Sequence, residues 1–455
     1  MPNFDLTTDT ELRDVVGLFY GDERPTVEMT GGDGEYSISI DGKTFSVKLD
    51  GRSTGEIPPT HRNGRLAKIA LYDALTTYTG RSMPWGALTG VRPTKLFYEC
   101  LKNGNSAEHA VDVMRTVYRV SAERAEVLRR IVAAQSGKVF FAPEYINLYV
   151  HIPYCTTRCS YCSFVSLPID KYKEQADAYA AALCEEIRRS VEFLQGRGKK
   201  ILSVYIGGGT PTAICADALD AVLSSIGRLN VEYTCEAGRP DTITEEKLDA
   251  MRAHGVNRVC VNPQSLCDAT LEEIGRSHTV DDFYRAFDAV RARGFDINCD
   301  LIAGLGSESA AQFRDGFDKI LSLRPENITV HTLSKKNGSG IRYERGENSA
   351  AAEMAEHALG ACGEYRPYYL YRQKRQAGNL ENVGFSLVGK ECVNNITTME
   401  ETVGVMACGA GAISKAVCGG SITRFANMRD VPLYLSRFEE KLSAKLDAFA
   451  AAFDC

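Results

Sequence analysis

Tyr149-Val-His-Ile-Pro-Tyr-Cys155-Thr-Thr-Arg-Cys159-Ser-Tyr-Cys162 places three thiols at Cx3Cx2C spacing directly after an apolar, strand-like run. A loop leaving the C-terminal end of a strand can fold such thiolates around one inorganic centre, and Cys thiolates are the standard ligands of iron–sulfur clusters. Three ligands for a four-iron cluster leave one iron open. A structural zinc site is normally closed by four protein ligands. The next position where a fourth sulfur could fall is Phe164, and His151 lies inside the apolar run, a poor place from which to reach back. Three unrelated core cysteines is the plain alternative, since free Cys is often simply buried. The local density of thiols weighs against it.

Outward from this loop, strand-like runs recur at Ile146–His151, Ile201–Ile206, Val231–Glu236, Val256–Val261, Phe295–Ile302 and Ile328–Leu333. Amphipathic helical stretches lie between them, at Lys171–Leu194, Ala216–Leu229, Glu245–His254, Val280–Arg293 and Ala310–Leu323. Strands alternating with helices mean a parallel sheet covered by helices. The expected fold is α/β, a partial (β/α)6 barrel. Chemistry then belongs at the C-terminal ends of the strands, and candidate residues fall there. The thiol loop follows the first strand and Gly207-Gly208-Gly209-Thr210-Pro211 the second; Glu236 ends the third, Gln264 follows the fourth, and Asp300 lies near the end of the fifth.

Each has a physical task available. A glycine run bares backbone beside a ligand, although GGGTP alone is a weak signal. Glu236 can neutralise an ammonium, and Arg276 can hold a carboxylate with its planar fork. Gln264 and Asp300 suit hydroxyls such as those of ribose. The plainer readings are a neighbouring-strand partner for Glu236, a surface role for Arg276 and a loop cap for Gln264. Asp300 sits in an apolar context where an unpaired carboxylate is costly.

The thiol loop, with an aromatic residue before its third cysteine, resembles the radical S-adenosylmethionine (SAM) superfamily. The wider string YVHIPYCTTRCSYCSF resembles the oxygen-independent coproporphyrinogen III oxidases (dehydrogenases), most closely their HemZ-type branch. The resemblance implies a [4Fe-4S] cluster on Cys155, Cys159 and Cys162, with SAM on the open iron cleaved reductively to a 5′-deoxyadenosyl radical. It implies that Tyr149 stands beside SAM and that Tyr161 is the aromatic before the last cluster ligand. Gly208, Gly209 and Thr210 match the glycine motif that meets the methionine ammonium. Glu236, Gln264, Arg276 and Asp300 match SAM-binding positions in TCEAGRPDTIT, NRVCVNPQSL, IGRSHT and INCDLIAGL. The resemblance covers the barrel and continues into the YRQK and AGNLENVG segments. It implies oxidative decarboxylation of two coproporphyrinogen III propionates to the vinyl groups of protoporphyrinogen IX, with an electron donor and an electron acceptor not identified by sequence.

Two departures and two rivals accompany this reading. The best-studied oxidases carry a further cysteine where this chain has Phe164, and they hold two SAM molecules. One rival is a haem chaperone of the HemW type, whose HNxxYW string is not present in the C-terminal region. The other is a radical SAM enzyme that methylates or opens a tetrapyrrole.

The 455 residues suffice for two or three domains. The expected division is an N-terminal α+β accessory domain at 1–140, the core at 141–335, and a C-terminal α+β extension at 336–455 covering the substrate and closing the barrel's open side. In the first, Glu35–Ile40 and Thr44–Leu49 flank a hairpin turn at Asp41-Gly42-Lys43. Helical periodicity follows at Arg62–Tyr78 and Ala107–Ala134. The basic 90–95 segment reads as a helix start with Pro93 in the first turn. In the last, the aromatic and cationic 365–375 stretch could stack on a tetrapyrrole and pair with propionates, or be an edge strand with a solvated basic face. Gly409–Ile413 reads as a tight turn and Val431–Phe453 as a terminal amphipathic helix. The net charge of −6 argues against a nucleic-acid partner bound by bulk electrostatics. No stretch approaches the ~20 apolar residues of a membrane span, and the N-terminus lacks signal-peptide order. The expectation is a cytoplasmic monomer whose fifteen cysteines are not a disulfide framework, with Cys184, Cys235, Cys260 and Cys299 as small core residues.

Overall fold

A computed structural model describes residues 3–4, 9–20, 24–57, 61–89, 92–139, 142–164, 166–334, 349–373, 376, 379–418 and 421–453. Gly90, Val91, Lys374 and Arg375 of the basic segments read above lie outside the described residues.

The first sheet joins β1 (Asn3–Phe4), β2 (Val27–Gly32), β3 (Glu35–Ile40) and β4 (Lys43–Lys48), antiparallel throughout. Asp41 and Gly42 turn β3 into β4 with φ of 48° and 81°. Both central residues of a type I′ turn need positive φ, which Asp and Gly tolerate. Tyr36, Ile38 and Ile40 bury one face of β3 against the helix Arg62–Thr79. The periodicity at Ala107–Ala134 is two helices, Ala107–Thr116 and Ala122–Ala134. Arg119 takes φ 63° between them, and the Ser121 hydroxyl caps the second by accepting from the Arg124 N–H.

The second sheet carries the candidate residues and begins in sequence with β5 (Tyr145–Ile152). A short parallel pair outside it, β6 (Tyr154–Cys155) and β7 (Leu167–Pro168), brackets the thiol loop. The other strands of the sheet are β8 (Lys200–Gly208), β9 (Glu232–Cys235), β10 (Arg258–Cys260), β11 (Asp296–Ala303), β12 (Asn327–Thr332), β13 (Arg366–Tyr371), β14 (Asn382–Ser386), β15 (Gly404–Cys408), β16 (Ile413–Cys418) and β17 (Ser421–Ala426). The order is β13-β14-β12-β11-β10-β9-β8-β5-β15-β16-β17. From β12 to β15 every pairing is parallel, and the flanking strands are antiparallel. The expected six-strand α/β core is present, as an open mixed sheet. The C-terminal strands do not close it: β15 adds a parallel strand beside β5, and β14 and β13 extend the opposite edge.

Helices occur where periodicity places them, with Thr244, Thr279 and Ser309 as N-caps and full capping boxes at Thr279–Asp282 and Ser309–Gln312. The terminal amphipathic stretch breaks at Arg437 into Val431–Ser436 and Phe438–Phe453. The second of these inserts Lys445 beside Glu186 of the helix Lys173–Gly196, and the two side chains are each 3% exposed. Glu186 accepts from Lys445 Nζ (2.5 Å), Tyr434 Oη (2.7 Å), Asn427 Nδ2 (2.8 Å) and the Gly409 N–H (2.7 Å). Removing one partner leaves a buried charge uncompensated. Lys445→Met is expected to cost about 3–5 kcal/mol, measured as a lowered denaturation midpoint; an unchanged midpoint refutes the pairing's importance.

The cysteines of the thiol loop are free, as are Cys184 and the buried Cys235, Cys260 and Cys299, while Cys418 is disulfide-bonded. Among the described residues no helix is long and apolar enough to cross a membrane.

Candidate active site

The loop after β5 is fixed from three directions. Leu167 N–H bonds Pro153 O (2.8 Å), and Ser160 N–H bonds Ile274 O (3.0 Å). Thr157 Oγ1 donates to Gly275 O (2.9 Å). Cys159 is buried and Cys155 and Cys162 half-buried. Cys155 Sγ lies 3.2 Å from Thr210 Oγ1, and Arg239 Nη1 lies 3.6 Å from Cys159 Sγ. Burial, then the neighbouring Cys159 and Cys155, raises the Cys162 thiol. His151 is turned elsewhere: its Nδ1 is 2.6 Å from Ala410 O, on the turn after β15. Among the described residues no three His, Cys, Asp or Glu side chains converge on a single metal ion. A cluster asks for something different, one thiolate at each of several irons.

The glycine run has a reason internal to the fold. A Cβ on Gly209 would stand 2.4 Å from Tyr154 O, and one on Gly208, at φ 120°, 2.7 Å from the His151 ring. Gly207 would bring a Cβ within 2.8 Å of Glu236 Oε2 and 3.0 Å of the Tyr205 ring. Strand crowding demands these glycines, with or without a ligand.

Tyr149, Tyr205 and Glu236 meet at Gly207, the two rings stacked at 6.3 Å. The Glu236 carboxylate has no hydrogen-bond partner among the described residues. Burial first, then repulsion from Asp300, pushes its pKa up to about 8. Burial followed by Glu236 raises the Tyr149 phenol. Asp300 is differently placed. Burial would raise it, but the facing His331 and the Asn298 and Thr329 side chains outweigh that and lower it. Asn262 Nδ2 and Asn298 Nδ2 donate to its two oxygens at 2.9 and 2.8 Å, and His331 Nε2 stands 3.5 Å away. His331 Nδ1 in turn lies 3.0 Å from Tyr371 Oη, so a C-terminal strand reaches the same interior.

Gln264 has φ 66°, a conformation few non-glycine residues adopt. Backbone bonds from Gln264 N to Asp300 O and from Ile302 N to Gln264 O, both 3.0 Å, hold it there, and its buried Oε1 has no partner. Arg276 donates from Nη2 to Gly238 O (2.6 Å) and from Nη1 to Tyr161 Oη (3.4 Å), while its buried Nε is unpartnered. Tyr161 also packs on Leu271, Ile274, Ile302, Leu305 and Leu333. The candidate residues singled out in the core therefore gather at the C-terminal ends of the parallel strands. The sequence motifs do not single out Arg239, Asp241, His331 or Asn262, and they mark Tyr371 only within the aromatic 365–375 stretch. Arg239 was signalled by the charged pair Arg239–Asp241 in the very loop that follows Glu236.

The polar groups left without partners here include the Glu236 carboxyl, poised to ionise beside a cation, a neutral acceptor at Gln264 and a cationic donor at Arg276. A zwitterionic amino acid carrying hydroxyls complements that set.

Residues 149–320 match the Radical SAM superfamily, and the chain belongs to it. The superfamily's cofactors, a [4Fe-4S] cluster and SAM, are the cofactors of this chain. The oxygen-independent coproporphyrinogen-III oxidase-like protein HemZ of Bacillus subtilis is 38% identical over 399 residues, 84% of this chain and 80% of that one. The heme chaperone HemW of Lactococcus lactis is 30% identical over 304 residues, 64% of this chain and 73% of that one. The structure of coproporphyrinogen III oxidase (HemN) from Escherichia coli, described as a radical SAM enzyme, shares the fold with a TM-score of 0.54 at 19% identity. It covers 70% of this chain and 73% of that one. Within the superfamily this is a member of the HemZ family of oxygen-independent coproporphyrinogen-III oxidase-like proteins.

Proposed function

We propose that this chain oxidatively decarboxylates the propionates of coproporphyrinogen III to the vinyl groups of protoporphyrinogen IX without oxygen. The observation that carries the reading is the unpartnered trio of Glu236, Gln264 Oε1 and Arg276 Nε beside the thiol loop, in a chain 38% identical to HemZ. Cys155, Cys159 and Cys162 would hold the cluster. Glu236 would take the methionine ammonium of SAM, Arg276 its carboxylate, and Gln264 and Asp300 the ribose hydroxyls. Tyr149 would lie along SAM, with Gly208, Gly209 and Thr210 supplying backbone beside the methionine end and Tyr161 bracing the loop.

Bound together, cluster and SAM supply reductive SAM cleavage and hydrogen-atom abstraction from carbon. At each propionate a hydrogen atom leaves the β-carbon, the bond to the carboxylate breaks to release carbon dioxide, and one electron passes to an acceptor. The chain's own contribution is to bind, orient and exclude water. In this reading residues 1–140 are an accessory domain, 141–335 the catalytic core and 336–455 the cover over the substrate. The protein works as a cytoplasmic monomer with separate electron donor and acceptor partners.

Anaerobic turnover of the reconstituted protein with SAM, a reductant and coproporphyrinogen III, followed by mass spectrometry, tests this. The expected product has lost two carboxyl groups, with 5′-deoxyadenosine formed alongside. Haem transfer is the second reading, favoured by the 30% identity to a heme chaperone and by Phe164 after the triad. Stoichiometric haem binding with an unchanged porphyrinogen would overturn the oxidase reading in its favour.

A further inference from the structure

We propose that Arg239 sets the reduction potential of the iron–sulfur cluster by bringing a charged N–H donor to the Cys159 sulfur. This rests on Cys159 being a cluster ligand. Arg239 follows Glu236 in the loop after β9, and its side chain is 3% exposed. A guanidinium has five N–H bonds in a fixed plane, and here each has a direction. Nε and Nη2 grip Asp241 at 3.0 and 3.1 Å, and Nη2 also reaches Ser277 Oγ at 3.3 Å. Nη1 points away from Asp241 into the thiol loop, 2.8 Å from Thr157 Oγ1 and 3.6 Å from Cys159 Sγ. The loop answers from its side, as Thr156 Oγ1 donates to Asp241 Oδ2 at 3.2 Å.

An ion pair alone would need only the Asp241 side of the fork. The remaining donors make Arg239 a fixed bridge whose free edge faces a sulfur. The hydrogen-bonding groups at the other two sulfurs are neutral, the Thr210 hydroxyl at Cys155 and the Phe164 backbone at Cys162, while the Arg158 charge also acts on Cys162. His278, packed among the same charges, is kept uncharged by burial and then by Arg276, its pKa lowered to about 3. Arg239 is thus a buried cation whose N–H is aimed at a triad sulfur. Hydrogen bonds and positive charge at a ligating sulfur draw electron density from it and favour the reduced cluster, the state from which SAM is cleaved.

The test is a redox titration of the reconstituted full-length protein without SAM, followed by visible absorption and by the paramagnetic signal of the reduced cluster. Iron and sulfide content is measured on each sample. Arg239→Gln is expected to keep its iron while its midpoint potential moves more negative, and Arg239→Lys, retaining the charge, to recover part of the shift. Asp241→Asn removes the neutralising carboxylate and is expected to move the potential the opposite way, more positive. A purely structural bridge would not give shifts of opposite sign. Iron-loaded Arg239→Gln and Asp241→Asn proteins with unchanged midpoints would overturn the proposal; if Arg239→Gln loses its iron, Asp241→Asn decides alone. A wild-type protein that takes up no four-iron cluster would instead overturn the ligand assignment beneath it.

Discussion

Replacing Cys159 by alanine is expected to abolish the visible absorption of the reconstituted cluster and SAM cleavage together. Cys159 is the most buried of the three thiols, and its neighbours anchor it through Ser160, Thr157 and Arg239. A cluster held by three thiolates with one iron reserved for SAM has no spare ligand to lose. His151 is not placed as a spare ligand: its ring is turned with Nδ1 against Ala410 O, on the turn after β15. Cys155→Ala and Cys162→Ala should behave alike, whereas Cys215→Ala, an exposed thiol before the helix Ala216–Ile226, should leave both signals intact. Retention of both signals in any triad variant would remove that residue from the ligand set.

The second large effect is on SAM affinity at Glu236. With its pKa near 8, set by burial and then by Asp300, Glu236 is mostly protonated at pH 7 in the free protein. An ammonium prefers the ionised form, so binding must release nearly one proton at pH 7. The sign follows: affinity rises from pH 6 toward 8, approaching tenfold per unit, and turns over above about 8 as free SAM loses its own ammonium proton. Calorimetry in two buffers of different ionisation enthalpy reads the released proton directly. Glu236→Gln keeps the shape and removes the titration. It should weaken binding at pH 8 by about 2–3 kcal/mol, the worth of a hydrogen bond to a charged group, or roughly 30- to 150-fold. A Gln variant with unchanged affinity and an unchanged pH profile would show that the ammonium sits elsewhere.

The strand-by-strand core was readable because its physics is local. Buried parallel strands are near-continuous apolar runs, and those from Tyr145–Ile152 to Asn327–Thr332 lie within two residues of where the pattern puts them. The site was readable for a related reason, since polar residues at the ends of such strands are conspicuous. What stayed hidden depends on distant parts of the chain. Arg239 looks like any charged loop residue until the fold lays Cys159 beside it. Tyr371 joins the interior only because β13 and β14 return antiparallel along β12. The five residues Gly404–Cys408 of β15 are too short a run to announce that they pair with β5. The glycine run after β8 was noticed for ligand contact, yet its necessity comes from Tyr154 O, His151 and Glu236, none visible from GGGTP alone.

The pairing of β15 with β5 carries a consequence for the order of synthesis. Gly404 lies alongside Ile146 and Cys408 alongside Val150, so the strand that leads into the thiol loop keeps one bare edge until the chain has been made as far as Cys408. Unpaired edges on incomplete chains invite wrong partners. The turn that receives the His151 ring, at Ala410, arrives just as late. Cotranslational folding can assemble the middle of the sheet, but the seam beside the strand that leads into the thiol loop is sewn only once β15 has emerged.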